Sequence, residues 1–274
     1  MTTPLSEYVL GHSAAELRRL IEQAAFFGDM TADLFRRAGI RQGLSVLDIG
    51  CGVGDVAFLA ASLVGPAGSV LGIDRAAEAV AVARQRAEVA ETENVTFEVA
   101  DAATFQTNTK FDAVVGRLVL AYQPDVSAVL RHLATLVRDG GVLAFQECDL
   151  SSAATKPAVP LFTRMVGYVI ETYRRANLEA DMGSRLHAAF RQAGLPAPQM
   201  IAAARVESGP SSLAYAAVAR VVESAAPMME RLGVATPADL HLETLEARLR
   251  AEVVQADAVV FMPMFVGAWT QVAR

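Results

Sequence analysis

A short stretch of the chain carries three glycines at alternate positions directly after an apolar run. It extends from Val46 to Asp55 and reads VLDIGCGVGD. Glycine allows the backbone to turn sharply, and it leaves room for a ligand against bare main chain. A helical segment follows from Val56, and the first turn of a helix offers unpaired N–H groups and the positive end of a dipole. The stretch therefore predicts a strand, a tight turn and a helix start that bind a small molecule with a negative group.

The spacing of these glycines argues against two common nucleotide-binding motifs. A dinucleotide fingerprint, G-x-G-x-x-G, needs a glycine at the position that Asp55 occupies. A P-loop needs a lysine followed by serine or threonine after its last glycine, and none follows Gly54. Cys51 lies within the turn and could indicate redox chemistry, but a small residue that fits beneath the turn is the more common case.

Around this turn, short apolar strands alternate with helices over residues 44–149. Such an alternation predicts a parallel sheet that is covered by helices on both faces and has right-handed crossovers. Ligands bind such sheets at the carboxyl ends of the strands, so the residues that follow each strand are the candidates for chemistry. The predicted strands are 44–49, 69–73, 95–100, 111–116 and 141–146, and the predicted helices are 55–64, 76–90 and 126–138.

The composition favours a protein of the cytoplasm. Of the 274 residues, 53% are hydrophobic, the net charge is −6 and no run of lysine and arginine stands out, which argues against nucleic acid as a partner. The two cysteines, Cys51 and Cys148, form no CxxC pair and favour a reducing compartment. The first residues lack the pattern of a signal peptide, and the apolar runs fall short of the roughly 20 residues that a membrane span needs. We therefore expect a cytoplasmic protein that binds neither membrane nor nucleic acid.

Three regions are predicted along the chain from its helical and strand periodicities. Residues 1–40 form an N-terminal helical cap, and residues 41–150 form a cofactor-binding core. Residues 151–274 form the C-terminal part of the core and carry inserted cap helices, at about 156–180 and 211–255. These helices are surplus to the sheet, so we expect them to cover the ligand.

The pattern D-x-G-x-G-x-G that begins at Asp48 resembles the first motif of class I S-adenosylmethionine-dependent methyltransferases. In that family the turn receives the methionine end of the cofactor. An acid that ends the second strand binds the ribose hydroxyls, and an acid that ends the third reaches the adenine amino group. Asp74 in GIDR and Asp101 in VADA match these acids, and the segments FDAVVG and GGVL match the fourth strand and the entry to the fifth. The resemblance covers residues 44–149.

The resemblance implies that S-adenosylmethionine is the cofactor. Carboxylates suit its ribose hydroxyls and adenine amino group because these groups are hydrogen-bond donors. A looser similarity to small-molecule methyltransferases of the ubiquinone/menaquinone and natural-product types extends to the N-terminal segment. There, the ring of Tyr8 would attract a sulfonium, whereas Gln23 could equally be a solvated helix position. The implied cofactor-binding residues are Tyr8, Gln23, Asp48, Gly50, Cys51, Gly52, Asp74, Arg75, Asp101, Ala102 and Arg117.

The implied fold is α/β, a doubly wound Rossmann-like sheet of about seven strands with the last strand antiparallel and a helical cap. Methyl transfer is a direct displacement, so a general base is needed only where the acceptor must lose a proton. Glu147 ends the fifth strand and is the first candidate base, followed by His12 and then His187. No HxxxH pattern or His/Cys cluster has the spacing of metal ligands, so we expect no metal.

The substrate is expected to lie among aromatic and apolar side chains. Tyr122 follows the fourth strand, and Tyr168 and Tyr215 belong to apolar stripes of the predicted cap helices. Such stripes usually pack in a core, but a cap over the strand ends would turn part of them toward an apolar ligand. This favours a medium-sized, partly apolar substrate.

Three functions are carried forward from the sequence. The first is methyl transfer from S-adenosylmethionine to an oxygen, nitrogen or carbon of a small metabolite. The second is an NAD-dependent oxidoreductase, against which Asp55 in the glycine turn speaks. The third is a non-catalytic S-adenosylmethionine-binding protein, which the intact motif does not exclude. The sequence does not name the acceptor, and it leaves a homodimer open.

Overall fold

The computed structural model describes residues 27–272. Three predicted site residues, Tyr8, His12 and Gln23, lie outside the described residues, as does the part of the predicted N-terminal cap that precedes residue 27. Within the described residues, helix α1 covers residues 27–37. The other helices are α2 Asp55–Val64, α3 Ala77–Val89, α4 Val126–Ala134, α5 Pro160–Arg175, α6 Met182–Gln192, α7 Ala214–Arg231, α8 Pro237–Leu240 and α9 Leu242–Gln255.

Ten strands form two sheets in the described chain. Seven of them make one sheet in the order β3-β2-β1-β4-β5-β10-β7, and the other three make a smaller sheet in the order β6-β9-β8. The strands are β1 Ser45–Ile49, β2 Ser69–Asp74, β3 Val95–Val99, β4 Phe111–Arg117, β5 Val137–Asp149, β6 Ala154–Lys156, β7 Gln199–Ala203, β8 Val206–Glu207, β9 Val259–Phe261 and β10 Met264–Gln271.

The large sheet confirms the predicted fold, a doubly wound Rossmann-like sheet of seven strands whose last strand is antiparallel. Strand β1 pairs in parallel with β2 on one side and with β4 on the other, so the chain order reverses at β1. Ile49 lies opposite both Ile73 and Gly116, which brings the carboxyl ends of three strands to one edge. Such a reversal opens a crevice at that edge, where ligands of this fold class bind.

Apolar residues on both faces of β1 explain why this strand is central. Val46, Leu47 and Ile49 are buried, as expected for a parallel strand that helices cover on both sides. On α2, the buried residues recur at helical spacing and face the sheet. They are Val56, Ala57, Ala60, Ala61 and Val64. Burial of each valine or leucine side chain contributes about 1.5–3 kcal/mol, and it fixes the turn between β1 and α2 on a rigid base.

Strand β5 is longer than the sequence predicts. The predicted helix 126–138 ends at Ala134, where the Thr135 hydroxyl donates to the carbonyl of His132 at 2.7 Å. Strand β5 begins at Val137, which pairs with Phe111 on β4 before an irregularity in the pairing. The hydrophobic spacing of this segment suits a helix locally, but pairing with β4 decides its structure.

The chain divides into two compact units. Of the described residues, 27–147, 183–202 and 266–272 form the unit with the glycine turn, and 148–182 and 203–265 form the other. The second unit contains the small antiparallel sheet and four helices, with α7 packed between α5 and α9. Its helices lie in the ranges predicted for the cap, but the role of a cap over the ligand stays a prediction.

The apolar run of residues 258–270 near the end of the described chain contains a proline, Pro263. It forms two strands, β9 and β10, that are separated by Met262 and Pro263. Proline has no backbone N–H to donate, which explains the break between the two strands. In residues 27–272, no helix combines the length and the apolar character that a bilayer crossing requires.

Candidate functional site

The backbone of the turn after β1 requires glycine at two positions. Gly50 and Gly54 have φ angles of 64° and 94°, in the left-handed region. A Cβ atom on Gly50 would lie 2.5 Å from Cγ2 of Val119, and one on Gly54 would lie 2.8 Å from Cζ of Phe97. Conformation and space both require glycine at these positions, so the turn is a bare-backbone surface at the carboxyl end of β1.

Asp48 lies beneath this turn as a buried carboxyl group. It is fully buried, and neither of its oxygens has a hydrogen-bond partner among the described residues. Burial raises its pKa well above the usual range; Arg117 opposes the rise, whereas Asp74 and Asp55 add to it. The backbone N–H of Ala57 on α2 also lowers the pKa of Asp48, by the smallest amount, although it does not meet the geometry of a hydrogen bond to either oxygen. Buried polar atoms of native proteins nearly always have partners, so Asp48 is suited to a ligand that brings a cationic or donor group.

Asp74 ties the end of β2 to the glycine turn. Its Oδ2 atom accepts a hydrogen bond from the N–H of Gly52 at 2.9 Å, and its Oδ1 atom accepts one from the N–H of Ala76 at 2.8 Å. A carboxylate has about four acceptor positions, so each oxygen can still accept from a ligand hydroxyl. The exposed Arg75 follows it. The structure therefore brings together the turn and the acid that were predicted to bind the cofactor.

Three more predicted residues of this edge, Cys51, Asp101 and Ala102, follow β1 and β3. Asp101 comes after β3 and accepts a hydrogen bond from the N–H of Ala103 at 2.8 Å, with Ala102 buried between them. Cys51 is buried in the turn, and its N–H donates to the carbonyl of Ile73 at 3.0 Å. Burial, followed by the nearby carboxylates, raises the pKa of its thiol, which disfavours a reactive thiolate. Cys51 therefore acts as a small buried residue of the turn.

Two supports of the turn were not predicted from the sequence. Arg86 on α3 donates to the carbonyl of Val53 at 2.6 Å and forms an ion pair with Asp55 at 2.8 Å. The rings of Phe58 and Phe97 meet edge to face, with centroids 5.7 Å apart, directly behind Gly54. The residue that breaks the dinucleotide fingerprint, Asp55, thus fastens the turn to α3.

A buried polar chain connects α1 with the ends of β4 and β5. Nη1 of Arg117 donates to the Thr31 hydroxyl at 3.1 Å, and that hydroxyl donates to Oε1 of Gln146 at 2.7 Å. Thr31 and Gln146 are buried, and sequence reasoning missed both because neither belongs to a recognisable motif. These two hydrogen bonds fix the position of Arg117, whose positive charge lowers the pKa of Asp48.

Glu147, the first candidate base, is 1% exposed. Its Oε1 atom accepts hydrogen bonds from the N–H groups of Val119 at 2.9 Å and Leu120 at 2.8 Å. Burial raises its pKa to about 7, and the backbone N–H groups oppose this rise. Tyr122, predicted to line the substrate pocket, ends the short helical turn that begins at Leu120 and is 8% exposed.

The stability of the protein is expected to fall with rising pH through Glu147. Its pKa is about 7 in the folded chain against a reference value of 4.5, so the folded state binds this proton more tightly. The resulting stabilisation is fully present below pH 4.5 and is lost as the pH rises through about 7, a change on the order of 3 kcal/mol. Urea unfolding at about pH 5 and about pH 8 measures it against Glu147→Gln, which cannot titrate. If the free energies of unfolding of the wild type and Glu147→Gln differ by the same amount at both pH values, the prediction is contradicted.

Three further predicted residues lie on helices α5, α6 and α7. His187 is exposed on α6. Tyr168 on α5 and Tyr215 on α7 belong to the second compact unit. The hydroxyl of the buried Tyr215 donates to the carbonyl of Gly209 at 2.9 Å, and its ring lies 5.9 Å from the guanidinium of Arg250. Their role in a substrate pocket stays a prediction. Over residues 27–272, no three His, Cys, Asp or Glu side chains are grouped so that they could hold a metal ion.

Comparison with known proteins agrees with this geometry. The methyltransferase-domain family matches residues 40–192, more than half of the chain. The chain is 38% identical over 113 residues to the arsenite methyltransferase of Aquipseudomonas alcaligenes, covering 38% of this chain and 33% of that one. It is 28% identical over 135 residues to the demethylmenaquinone methyltransferase of Shouchella clausii, covering 48% and 54%. It is also 38% identical over 120 residues to the aklanonic acid methyltransferase of a Streptomyces species, covering 43% and 54%.

These matches are partial, since the chain spans between one third and about half of the length of these relatives. A solved structure extends the likeness of the fold over most of the chain. The YcgJ protein of Bacillus subtilis has a TM-score of 0.58 at 18% identity, over 90% of this chain and 99% of that one. None of these matches supports an NAD-dependent oxidoreductase. The family match, together with the glycine turn, Asp74 at the end of β2 and Asp101 after β3, shows that the chain belongs to the class I S-adenosylmethionine-dependent methyltransferases.

Proposed function

We propose that this protein transfers a methyl group from S-adenosylmethionine to an oxygen, nitrogen or carbon of a small, partly apolar metabolite. The observation that carries the proposal is the pair formed by the bare glycine turn and Asp48, whose two buried oxygens have no hydrogen-bond partner among residues 27–272. The cofactor carries a positive ammonium and sulfonium, and such groups match an acceptor-lined site.

The residues present fit the cofactor by their chemistry. Asp48 would face the cationic methionine end, and the first turn of α2 offers N–H groups for its carboxylate. Asp74 would accept from the ribose hydroxyls through the acceptor positions that its two backbone bonds leave open. Asp101 would accept from the adenine amino group. The other contacts in this proposal are those of Gly50, Cys51, Gly52, Arg75, Ala102 and Arg117, together with Tyr8 and Gln23 outside the described residues.

The bound cofactor supplies a methyl group on a positively charged sulfur, which transfers by direct displacement. The chain must then hold the acceptor in line, exclude water and, for some acceptors, remove a proton. Tyr122 follows β4 in the chain and ends the short helical turn that begins at Leu120, and it is proposed to line the acceptor site. The same role for Tyr168 and Tyr215 stays a prediction from the sequence. The assignment of Glu147 or His12 as the general base stays a prediction.

The cysteine content favours an organic acceptor over arsenite. Arsenite binds thiols, but this sequence has only Cys51 and Cys148. The thiol of Cys51 is buried with a raised pKa, so it offers no ready thiolate. Two of the relatives are named for organic acceptors, aklanonic acid and demethylmenaquinone. We propose an acceptor of that general kind, and a cytoplasmic enzyme with no nucleic-acid or membrane partner, as a monomer or a homodimer.

Calorimetric titration tests the cofactor assignment. We expect S-adenosylmethionine and S-adenosylhomocysteine to bind and NAD to give no heat. Heat with NAD and none with S-adenosylmethionine would favour the oxidoreductase instead. Release of S-adenosylhomocysteine in the presence of a panel of phenols, hydroquinones, carboxylic acids and amines would then identify the acceptor. Tight cofactor binding without release from any acceptor would favour the non-catalytic alternative.

A further inference from the structure

The segment after β4, residues 118–122, adopts a conformation that its sequence does not favour. Leu118 has a φ angle of 56°, in the left-handed region that a leucine rarely occupies. Its N–H donates to the carbonyl of Gln146 on β5 at 2.8 Å. Backbone strain of this kind persists only where the surrounding structure fixes the residue, and it is concentrated at functional sites. We call this segment the 118–122 loop.

Glu147 supplies the contacts that fix the 118–122 loop. A single oxygen, Oε1, accepts from two successive backbone N–H groups, those of Val119 and Leu120. These two N–H groups have no acceptor within a helix or a sheet of the described chain, so the carboxyl of Glu147 accepts the hydrogen bonds that secondary structure would otherwise provide. The side chain of Leu120 is fully buried and anchors the same segment. Glu147 and the loop belong to the same compact unit as the glycine turn.

Within the 118–122 loop, the side chain of Val119 contacts the glycine turn. A Cβ atom on Gly50 would lie 2.5 Å from Cγ2 of Val119, and one on Gly116 would lie 2.9 Å from its Cγ1. The two methyl groups of Val119 therefore sit against two glycines, one in the turn and one on β4. A shift of the loop would move the surface on which the turn rests.

We infer that Glu147 is a positioning residue that holds Val119 against Gly50 and so fixes the shape of the cofactor site. The inference rests on the proposed function, in which the turn binds S-adenosylmethionine. It differs from the predicted role of Glu147 as a base, because here the carboxyl acts through backbone N–H groups and touches neither cofactor nor acceptor. The loop also carries Tyr122, which is proposed to line the acceptor site.

Three variants test the inference, with binding of S-adenosylhomocysteine by calorimetry and backbone hydrogen exchange as readouts. Glu147→Gln keeps a side-chain oxygen that accepts from the same N–H groups, and it should bind within about threefold of the wild type. Glu147→Ala should weaken binding by about tenfold or more and expose the N–H groups of Val119 and Leu120 to exchange. Val119→Ala should weaken binding to a similar degree while leaving the exchange of Leu120 protected. The double variant should bind no more weakly than Glu147→Ala.

The outcomes separate this inference from the proposed function and from base catalysis. Wild-type affinity in Glu147→Ala, or binding by Glu147→Gln as weak as that by Glu147→Ala, would overturn the positioning role. A Glu147→Gln variant that binds normally but loses release of S-adenosylhomocysteine would overturn the part of the inference in which the carboxyl touches neither cofactor nor acceptor, because that result assigns proton transfer to the carboxyl. If Glu147→Ala does not fold, Val119→Ala and Glu147→Gln still decide the matter. A wild type that binds no S-adenosylhomocysteine would overturn the proposed function, whereas the exchange of Val119 and Leu120 would still report on Glu147.

Discussion

Replacement of Asp74 by alanine is expected to raise the Kd of S-adenosylhomocysteine by about a hundredfold or more. The change removes the acceptor of the Gly52 N–H, which holds the turn, and the acceptors proposed for the ribose hydroxyls. Hydrogen bonds to a charged group contribute about 1.5–3 kcal/mol each, and every 1.4 kcal/mol is about tenfold in affinity. Loss of two such bonds on the ligand side alone therefore accounts for the expected effect.

A matched control distinguishes this effect from a general loss of charge. Asp33→Ala also removes an aspartate, but that side chain is exposed and pairs with Arg37 on the same helix. We expect calorimetric titration to show wild-type affinity for Asp33→Ala and no measurable heat for Asp74→Ala. Circular dichroism of both variants would establish that they are folded. A folded Asp74→Ala protein that binds as tightly as the wild type would remove Asp74 from the cofactor site.

The parts of the site that the sequence predicts are those that follow from local spacing. The turn after β1 requires glycine because of its backbone angles and the closeness of Val119, and a run of alternating glycines is visible without a structure. Asp74 and Asp101 follow apolar runs of strand length, so both could be placed at the same edge by topology alone. In each case a few neighbouring residues carry the whole signal.

The parts that the sequence does not predict depend on contacts between distant segments. Thr31 and Gln146 are 115 residues apart and form a bond that no local pattern announces. The partners of Glu147 are backbone N–H groups, which every residue except proline possesses, so no residue type marks them. The sequence predicts Glu147 at the carboxyl end of the fifth strand, but a carboxylate there is compatible with a base, a ligand contact or a positioning role. Its hydrogen bonds to the N–H groups of Val119 and Leu120 are the observation from which we infer the positioning role.

Replacement of Gly50 by alanine is expected to abolish cofactor binding and to lower the free energy of unfolding by about 2–5 kcal/mol. The residue has a φ angle of 64°, and the left-handed conformation costs an L-residue about 1–2 kcal/mol. The added methyl would also lie 2.5 Å from Cγ2 of Val119, and overpacking of this kind costs about 1–3 kcal/mol. Urea unfolding measures the stability, and titration with S-adenosylhomocysteine measures the binding.

Gly39 offers a control that separates the two causes. Its φ angle is 87°, but a Cβ atom there would meet nothing within 4 Å. Gly39→Ala should therefore lose only about 1–2 kcal/mol, from the backbone term alone, and should bind the cofactor normally. The contact with Val119 can be tested separately, because Val119→Ala removes the methyl group that the side chain of Gly50→Ala would meet. The double variant Gly50→Ala, Val119→Ala should therefore regain part of the stability that Gly50→Ala loses. If the double variant loses as much free energy of unfolding as the two single variants together, the turn and the 118–122 loop are not coupled through this contact.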